Sequence, residues 1–129
     1  MGKANFEQLK VYRLAEKLAD EIWKMVQTWQ HFDKSTIGSQ IVRSADSIGA
    51  NIAEGTGHKS FQDNRRFVRN ARGSLFETMH WLRRCVERKL RTKEQTMLLK
   101  PIVDELAPKL NAYLKSIGNV PSKKSENNL

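Results

Sequence analysis

The sequence has a single cysteine, Cys85, and three prolines among 129 residues. One cysteine excludes an intramolecular disulfide framework and is typical of proteins from a reducing compartment. No apolar run approaches the roughly 20 residues that cross a membrane, and the N-terminal segment MGKANFEQLK lacks the apolar core of a signal peptide. We therefore expect one cytoplasmic domain with no membrane partner and a core that needs no disulfide.

Patterns for catalysis and for metal binding are also missing. His80 and Cys85 are five residues apart, so on a helix they face different sides, and no other pair has the spacing of metal ligands. Residues 55–60, GTGHKS, lack the Gly-Lys-Ser order of a P-loop because a histidine interrupts it. No nucleophile elbow supports a hydrolase. We predict no enzymatic activity, no cofactor and no metal.

Acidic residues are scarce relative to basic ones, with 14 Asp and Glu against 23 Lys and Arg and a net charge of +9. Most of the excess lies in one segment: residues 58–91 hold ten basic and three acidic side chains, a local excess of seven. Concentrated positive charge attracts polyanions, and nucleic acid is the commonest of these in the cytoplasm.

Apolar residues recur at three- and four-residue spacing in four segments, which predicts four helices. The first begins at about residue 6 or 9 and ends at 29, and the others cover about 36–54, 61–89 and 92–117. The polar connection before the second helix ends in Ser35 and Thr36, either of which is a candidate cap. The predicted fold is an all-α, antiparallel up-down four-helix bundle over residues 1–118, followed by a disordered polar tail at 119–129. The predicted core positions are Val11, Ala15, Leu18, Ile22, Met25 and Trp29; Ile37, Ile41, Ala45, Ile48 and Ile52; Val68, Ala71, Leu75, Met79, Leu82 and Val86; and Leu99, Val103, Leu106, Leu110, Tyr113 and Ile117.

Glycine and proline predict where helices end or bend. Gly55 and Gly57 are expected to end the second helix in the left-handed conformation. The fourth helix begins at a capping box, Thr92-x-x-Gln95. Pro101 and Pro108 each remove a backbone hydrogen bond, so we expect a bend in this helix; two separate helices are the alternative.

The second helix is rich in small residues and carries a polar stripe beside its core face. We favour a structural role, in which the stripe is a hydrogen-bonded layer that sets helix register and Arg43 pairs with Asp46. The alternative is a recognition surface. The polar stripe consists of Gln40, Arg43, Ser47, Asn51 and Glu54.

The third helix carries a run of arginines interleaved with Phe76 and His80. Such a run is often only a solvated face. However, arginine binds phosphate with two parallel hydrogen bonds, and aromatic rings stack on unpaired bases. We hypothesise that this basic face binds nucleic acid, RNA in preference to DNA; the alternative is a protein-interaction scaffold with an acidic protein partner. The predicted basic face consists of Lys59, Arg65, Arg66, Arg69, Arg72, Arg83 and Arg84.

The apolar stripe of the first helix is wider than a four-helix bundle requires, because Tyr12, Ala19, Trp23 and Val26 extend it. An apolar surface that the bundle does not bury predicts self-association. We therefore expect a closed homo-oligomer.

Three segments, FEQLKVYRLAEKLADEIW, QIVRSADSIGANIAEGTGHKS and RRFVRNARGSLFETMHWL, resemble the bacterial four-helix-bundle family encoded in intervening sequences of 23S ribosomal RNA genes. Asn64 and Asn70 stand where that family has apolar residues. The matching positions are Gln40, Arg43, Ala45, Ser47, Ile48, Asn51, Ile52, Ala53, Glu54 and Gly55, then Ser60, Phe67, Ala71, Gly73, Ser74, Leu75 and Glu77.

This resemblance implies an antiparallel four-helix bundle and a ring-shaped homopentamer. It also implies kinship with the accessory variability protein of diversity-generating retroelements, which binds a reverse transcriptase and nucleic acid through a basic surface. It brings no catalytic residues. A ribosomal RNA intervening sequence and a reverse transcriptase are therefore the two contexts in which we expect the protein to act.

Overall fold

The computed structural model describes residues 5–119, and within that range it contains four long helices and no β-strand. A short 3₁₀ turn at Asn5–Gln8 precedes the first of them. Apart from Asn119, the tail predicted at 119–129 lies outside the described residues. The long helices are α1 (Lys10–Gln27), α2 (Ser39–Thr56), α3 (Phe61–Glu87) and α4 (Lys93–Ser116).

Each long helix packs against its neighbours in sequence, and α1 packs against α4 to close the bundle. The contact between α2 and α3 is the most extensive, and that between α3 and α4 is the least. At one end, the Trp29 indole N–H donates a 2.8 Å hydrogen bond to the Leu90 carbonyl and so joins the ends of α1 and α3. The all-α four-helix bundle is confirmed, while the strict up-down alternation of the helices stays a prediction.

The predicted core of α1 and α2 is confirmed at every position, but the second half of α3 is rotated relative to the prediction. Met79 and Val86 are 38% and 50% exposed, whereas Thr78 and Cys85 are fully buried. Burial of Thr78 is tolerated because its hydroxyl hydrogen-bonds to Ser44 Oγ at 2.9 Å and to a backbone carbonyl of its own helix at 2.8 Å. In α4, Val103 and Tyr113 are half-buried.

The segment before α2 is helical, so the predicted polar loop is wrong. One α-helical turn at His31–Asp33 leads into a π-helical turn at Lys34–Gly38, which continues into α2. Ser35 and Thr36 do not cap a helix; both hydroxyls donate to the Phe32 carbonyl, at 3.1 and 2.7 Å. Serine and threonine inside helices commonly bond to a preceding carbonyl in this way.

The predicted left-handed stop at Gly55 and Gly57 is also wrong. Gly55 lies within α2, and Gly57 has a right-handed φ of −79°. Among the described residues, positive φ occurs at Lys89 (59°) and Gly118 (82°). Chain reversal after α2 therefore needs no left-handed glycine.

Helix α4 is continuous through Pro101 and Pro108, so the alternative of two separate helices is wrong. Both prolines are exposed, on the side away from the core as predicted. The capping box is confirmed: Thr92 Oγ1 accepts from the Gln95 N–H at 3.1 Å, and Gln95 Oε1 accepts from the Thr92 N–H at 2.8 Å.

Replacing Lys89 with glycine is expected to stabilise the protein by about 0.5–1 kcal/mol. Lys89 ends α3 in the left-handed conformation, which a Cβ disfavours and which glycine adopts freely. Urea unfolding followed by circular dichroism measures the change. Lys17→Gly, at an exposed position inside α1, is the matched control and should cost about 1 kcal/mol. Equal destabilisation by both variants would contradict the prediction.

Candidate nucleic-acid interface

Helix α3 presents the predicted basic face, and its start is held in two ways. Ser60 Oγ accepts a 2.9 Å hydrogen bond from the Asp63 N–H and so caps the helix. The first turns of α3 also lie very close to the end of α2, where Gly55 faces Asn64 and Phe67. These contacts determine the direction in which the 27-residue helix leaves the connection.

Two of the predicted arginines, Arg69 and Arg83, are exposed and have no hydrogen-bond or ion-pair partner within residues 5–119. Lys59, in the connection before α3, is likewise exposed and unpaired among the described residues. These three side chains can therefore bind an anion without breaking an existing contact.

Two others, Arg65 and Arg72, hold the bundle together. Arg65 Nη1 donates to the carbonyl of Ile117 at 2.9 Å, and Arg72 Nη1 donates to Asn111 Oδ1 at 3.3 Å. Both acceptors belong to α4 or its C-terminal cap. Substitution of either arginine would therefore disturb the packing of α3 against α4 as well as the charge of the face.

The remaining pair, Arg66 and Arg84, makes weak contacts. Arg66 lies 3.5 Å from an Asp63 oxygen and 4.5 Å above the centre of the Phe67 ring. Arg84 lies 3.9 Å from a Glu87 oxygen. Ion pairs as exposed as these contribute about 0–1 kcal/mol, so a phosphate can displace them.

The aromatic residues predicted to lie among the arginines are at the surface. Phe76 is 56% exposed, and its position on α3 is between Arg69 and Arg83. His80 is exposed and packs edge-on against Trp81, with ring centres 4.7 Å apart. The face thus combines free cations with an exposed ring, which is the composition that binds unpaired bases and phosphates together.

The polar stripe of α2 makes fewer bonds than the predicted register layer requires. Asn51 donates to the Ser47 carbonyl of its own helix at 2.9 Å. The predicted pair between Arg43 and Asp46 does not form within the described residues. Burial and the nearby Asp20 raise the pKa of Asp46, because this carboxyl group faces α1 rather than Arg43.

The other two members of the stripe, Gln40 and Glu54, are exposed. The hydrogen bond that does join α2 to α3 is the one between Ser44 and Thr78. Sequence reasoning missed Thr78, since a threonine is not expected at a fully buried position.

Sequence reasoning also missed Arg91, which lies between α3 and α4 and outside both helical patterns. Arg91 is half-buried, and burial lowers the pKa of its guanidinium. Its Nε donates to Thr96 Oγ1 at 2.9 Å and its Nη1 to the Leu82 carbonyl at 3.2 Å. Both acceptors are neutral. No sequence signal distinguishes this arginine from its neighbours.

Two other kinds of site are absent from the described part of the chain. No group of three or more His, Cys, Asp or Glu side chains in residues 5–119 is arranged to hold a metal ion. None of the helices in that range combines the length and the apolar character needed to cross a bilayer.

The fold and its basic outer helix define a class, the small helical bundles with a cationic face. The profile of the 23S rRNA-intervening sequence protein family matches residues 7–112, and the chain belongs to this family. It is similar to the crystal structure of a protein of unknown function from the S23 ribosomal protein family of Bacteroides thetaiotaomicron VPI-5482. The two are 25% identical with a TM-score of 0.71, over 81% of this chain and 98% of that one. No curated protein matches the chain.

Proposed function

We propose that the protein is a non-enzymatic, oligomeric bundle that binds structured RNA through α3. The observation that carries this proposal is the pair of exposed, unpartnered arginines, Arg69 and Arg83, on one side of a single helix. The description of the family refers to 23S ribosomal RNA, which supports RNA over DNA. In this proposal the protein is an accessory factor to a ribosomal RNA intervening sequence or to a reverse transcriptase.

The spacing of the two arginines suits a nucleic-acid strand. Arg69 and Arg83 are 14 residues apart, which is about 21 Å along a helix. A strand with a rise of about 3.4 Å per nucleotide places roughly six phosphates over that length. The exposed Arg66 and the half-buried Arg84 extend the cationic surface beside the same line. The face therefore suits a linear polyanion better than a single small anion.

The proposed oligomer rests on the surface formed by α1 and α2. Trp23 is 53% exposed, and Ala19, one turn away, lines a groove of about 340 Å³ between the two helices. Gly49 and Ala53 of α2 also line it, so another helix can approach closely. An exposed tryptophan beside a groove of small residues favours a second copy of the chain as its partner, in a ring as the family resemblance implies.

Reversing two charges tests the proposal. In the double variant Arg69→Glu and Arg83→Glu, we expect RNA affinity to fall at least roughly tenfold, because each charge-assisted hydrogen bond contributes about 1.5–3 kcal/mol. Fluorescence anisotropy with a labelled RNA hairpin measures the affinity. The matched control is Lys17→Glu with Lys34→Glu, which makes the same change in net charge at exposed, unpartnered lysines of the described region.

The outcomes separate the competing functions. Light scattering should show the same oligomer for the wild type and both double variants; a wild-type monomer of 14.9 kDa contradicts the oligomer. If the RNA affinity of both double variants falls to the same extent, binding depends only on net charge and α3 is not the binding surface. If the wild type binds an acidic protein but no RNA, and the Arg69→Glu and Arg83→Glu variant no longer binds that protein, the scaffold function replaces the proposed one.

A further inference from the structure

A cavity of about 210 Å³ lies between α3 and α4, where these helices pack least closely. Its apolar wall comes from Met79 and Leu82 on α3 and from Leu99 and Val103 on α4. Small-molecule sites in proteins usually enclose about 300–1,000 Å³, so this cavity suits one planar group rather than a whole drug-sized ligand. Met79 is 38% exposed, so the apolar wall is accessible from solvent.

The rim of the cavity is cationic. Arg83, Arg91 and Lys100 line it together with one acid, Asp104. Lys100 Nζ lies 2.8 Å from an Asp104 oxygen, so these two charges neutralise each other. Arg83 has no partner within residues 5–119. The two arginines therefore determine the charge at the entrance to the cavity.

Arg91 in particular lacks an anion. A guanidinium has five N–H donors, and those of Arg91 that are bonded in the described structure meet only a hydroxyl and a carbonyl. Its titratable neighbour is Cys85, and burial raises the pKa of that thiol to about 11, so the thiol is neutral at pH 7. A half-buried cation without a counter-charge is costly, and a bound phosphate would remove that cost.

We propose that this cavity accepts one unstacked nucleobase of a single-stranded RNA segment, whose neighbouring phosphates bind Arg83 and Arg91. The inference rests on the proposed RNA-binding function and defines which part of the RNA is recognised. Apolar walls beside two unpaired cations match a nucleotide, which joins a flat apolar ring to an anion. Arg83 also belongs to the basic face of α3, so the cavity continues the same binding surface.

A base-paired stem cannot use the cavity, since its bases are stacked inside the helix. The protein should therefore prefer RNA with loops, bulges or free ends. This preference distinguishes a base pocket from a surface that binds phosphates alone, because such a surface would bind the more densely charged duplex at least as tightly as the single strand.

The first test varies the RNA and leaves the protein unchanged. Anisotropy titrations compare a labelled single strand, a blunt duplex with the same number of phosphates, and the single strand with all bases replaced by abasic sites. We expect the single strand to bind at least roughly fivefold more tightly than either of the others, as the loss of one base contact would predict. Equal affinities for all three would overturn the base pocket while leaving the RNA-binding function intact.

The second test fills the cavity. Val103→Phe adds bulk to the half-buried wall without changing charge and should remove the preference for the single strand. The matched control, Val86→Phe, adds the same bulk at a 50% exposed position of α3 that does not line the cavity. This variant should retain the preference for the single strand. Arg91→Gln should weaken single-strand binding more than Arg88→Gln, whose exposed arginine lies outside the cavity.

The abasic comparison does not depend on any variant, so misfolding of Val103→Phe cannot leave the inference untested. Retention of the single-strand preference by a folded Val103→Phe variant would overturn the inference. If neither RNA form binds at all, the proposed function fails together with the inference. If the wild type binds an acidic peptide and Val103→Phe abolishes that binding while the RNA affinities are unchanged, the occupant of the cavity is a protein segment.

Discussion

Replacing Gly55 with alanine is expected to destabilise the bundle by about 1–3 kcal/mol, the usual cost of added bulk in a well-packed interior. A Cβ on Gly55 would overlap Asn64 Oδ1 and would lie 3.2 Å from Phe67 Cβ and 3.3 Å from the Asn64 carbonyl oxygen. The last two atoms belong to the backbone of α3 or lie next to it. Rotation of the Asn64 side chain can relieve the overlap, but relief of the other two contacts requires the start of α3 to move slightly away from α2.

Urea unfolding measures the effect, and Gly73 provides the matched control. Gly73 lies at an exposed position inside α3, and a Cβ there would have no neighbour within 4 Å. Gly73→Ala should therefore stabilise the protein by about 0.5–1 kcal/mol, because alanine has the higher helix propensity. A Gly55→Ala variant that gains stability as Gly73→Ala does would show that the two helices are not in close contact.

Gly55 also shows what could be predicted from the sequence. Its type and position suggested a left-handed stop, whereas in the structure it lies inside α2 and allows close packing against α3. Glycine is compatible with both roles, and only the position of Asn64 on the next helix distinguishes them. Asn64 itself stands where the resemblance expects an apolar residue, and its Oδ1 is buried without a hydrogen-bond partner among the described residues.

The core shows where periodicity is sufficient and where it is not. In α1 and α2 each buried stripe is made of unambiguously apolar residues, so spacing alone identified it. In the second half of α3 two neighbouring stripes are candidates for the core, and the predicted one contains Met79 and Val86, which are exposed. The structure buries Thr78 and Cys85 instead, and the Thr78 hydroxyl is satisfied by Ser44, which is 34 residues away in sequence. Periodicity contains no information about such a distant partner.

The basic face was predicted as a set, but not the different roles of its members. Arg65 and Arg72 are bound to acceptors 52 and 39 residues away, on or next to α4. Spacing on one helix places them with Arg69, although of these three arginines Arg69 alone has no partner in the described structure. Arg91 was missed because it lies in a connection, outside any helical pattern. Its position beside the cavity between α3 and α4 depends on how the two helices pack.

RNA affinity is expected to fall about 50- to 150-fold when salt rises from about 50 to 200 mM. Four arginines of α3 (Arg66, Arg69, Arg83 and Arg84) are not bonded to α4 and are available to phosphates. Each phosphate contact contributes about 0.7–0.9 to the slope of log affinity against log salt, so these four contacts predict a slope of about −2.8 to −3.6. Titrations at several salt concentrations measure this slope.

The slope also reports how many arginines contact phosphates, because it is proportional to the number of phosphate contacts. In the Arg69→Glu and Arg83→Glu variant it should drop by about half, because two of the four phosphate contacts are lost. The Lys17→Glu and Lys34→Glu control should keep the wild-type slope, since neither lysine belongs to α3 or to the predicted basic face. A wild-type slope near zero would mean that binding releases no counterions, and the arginine face would then not be the RNA-binding surface.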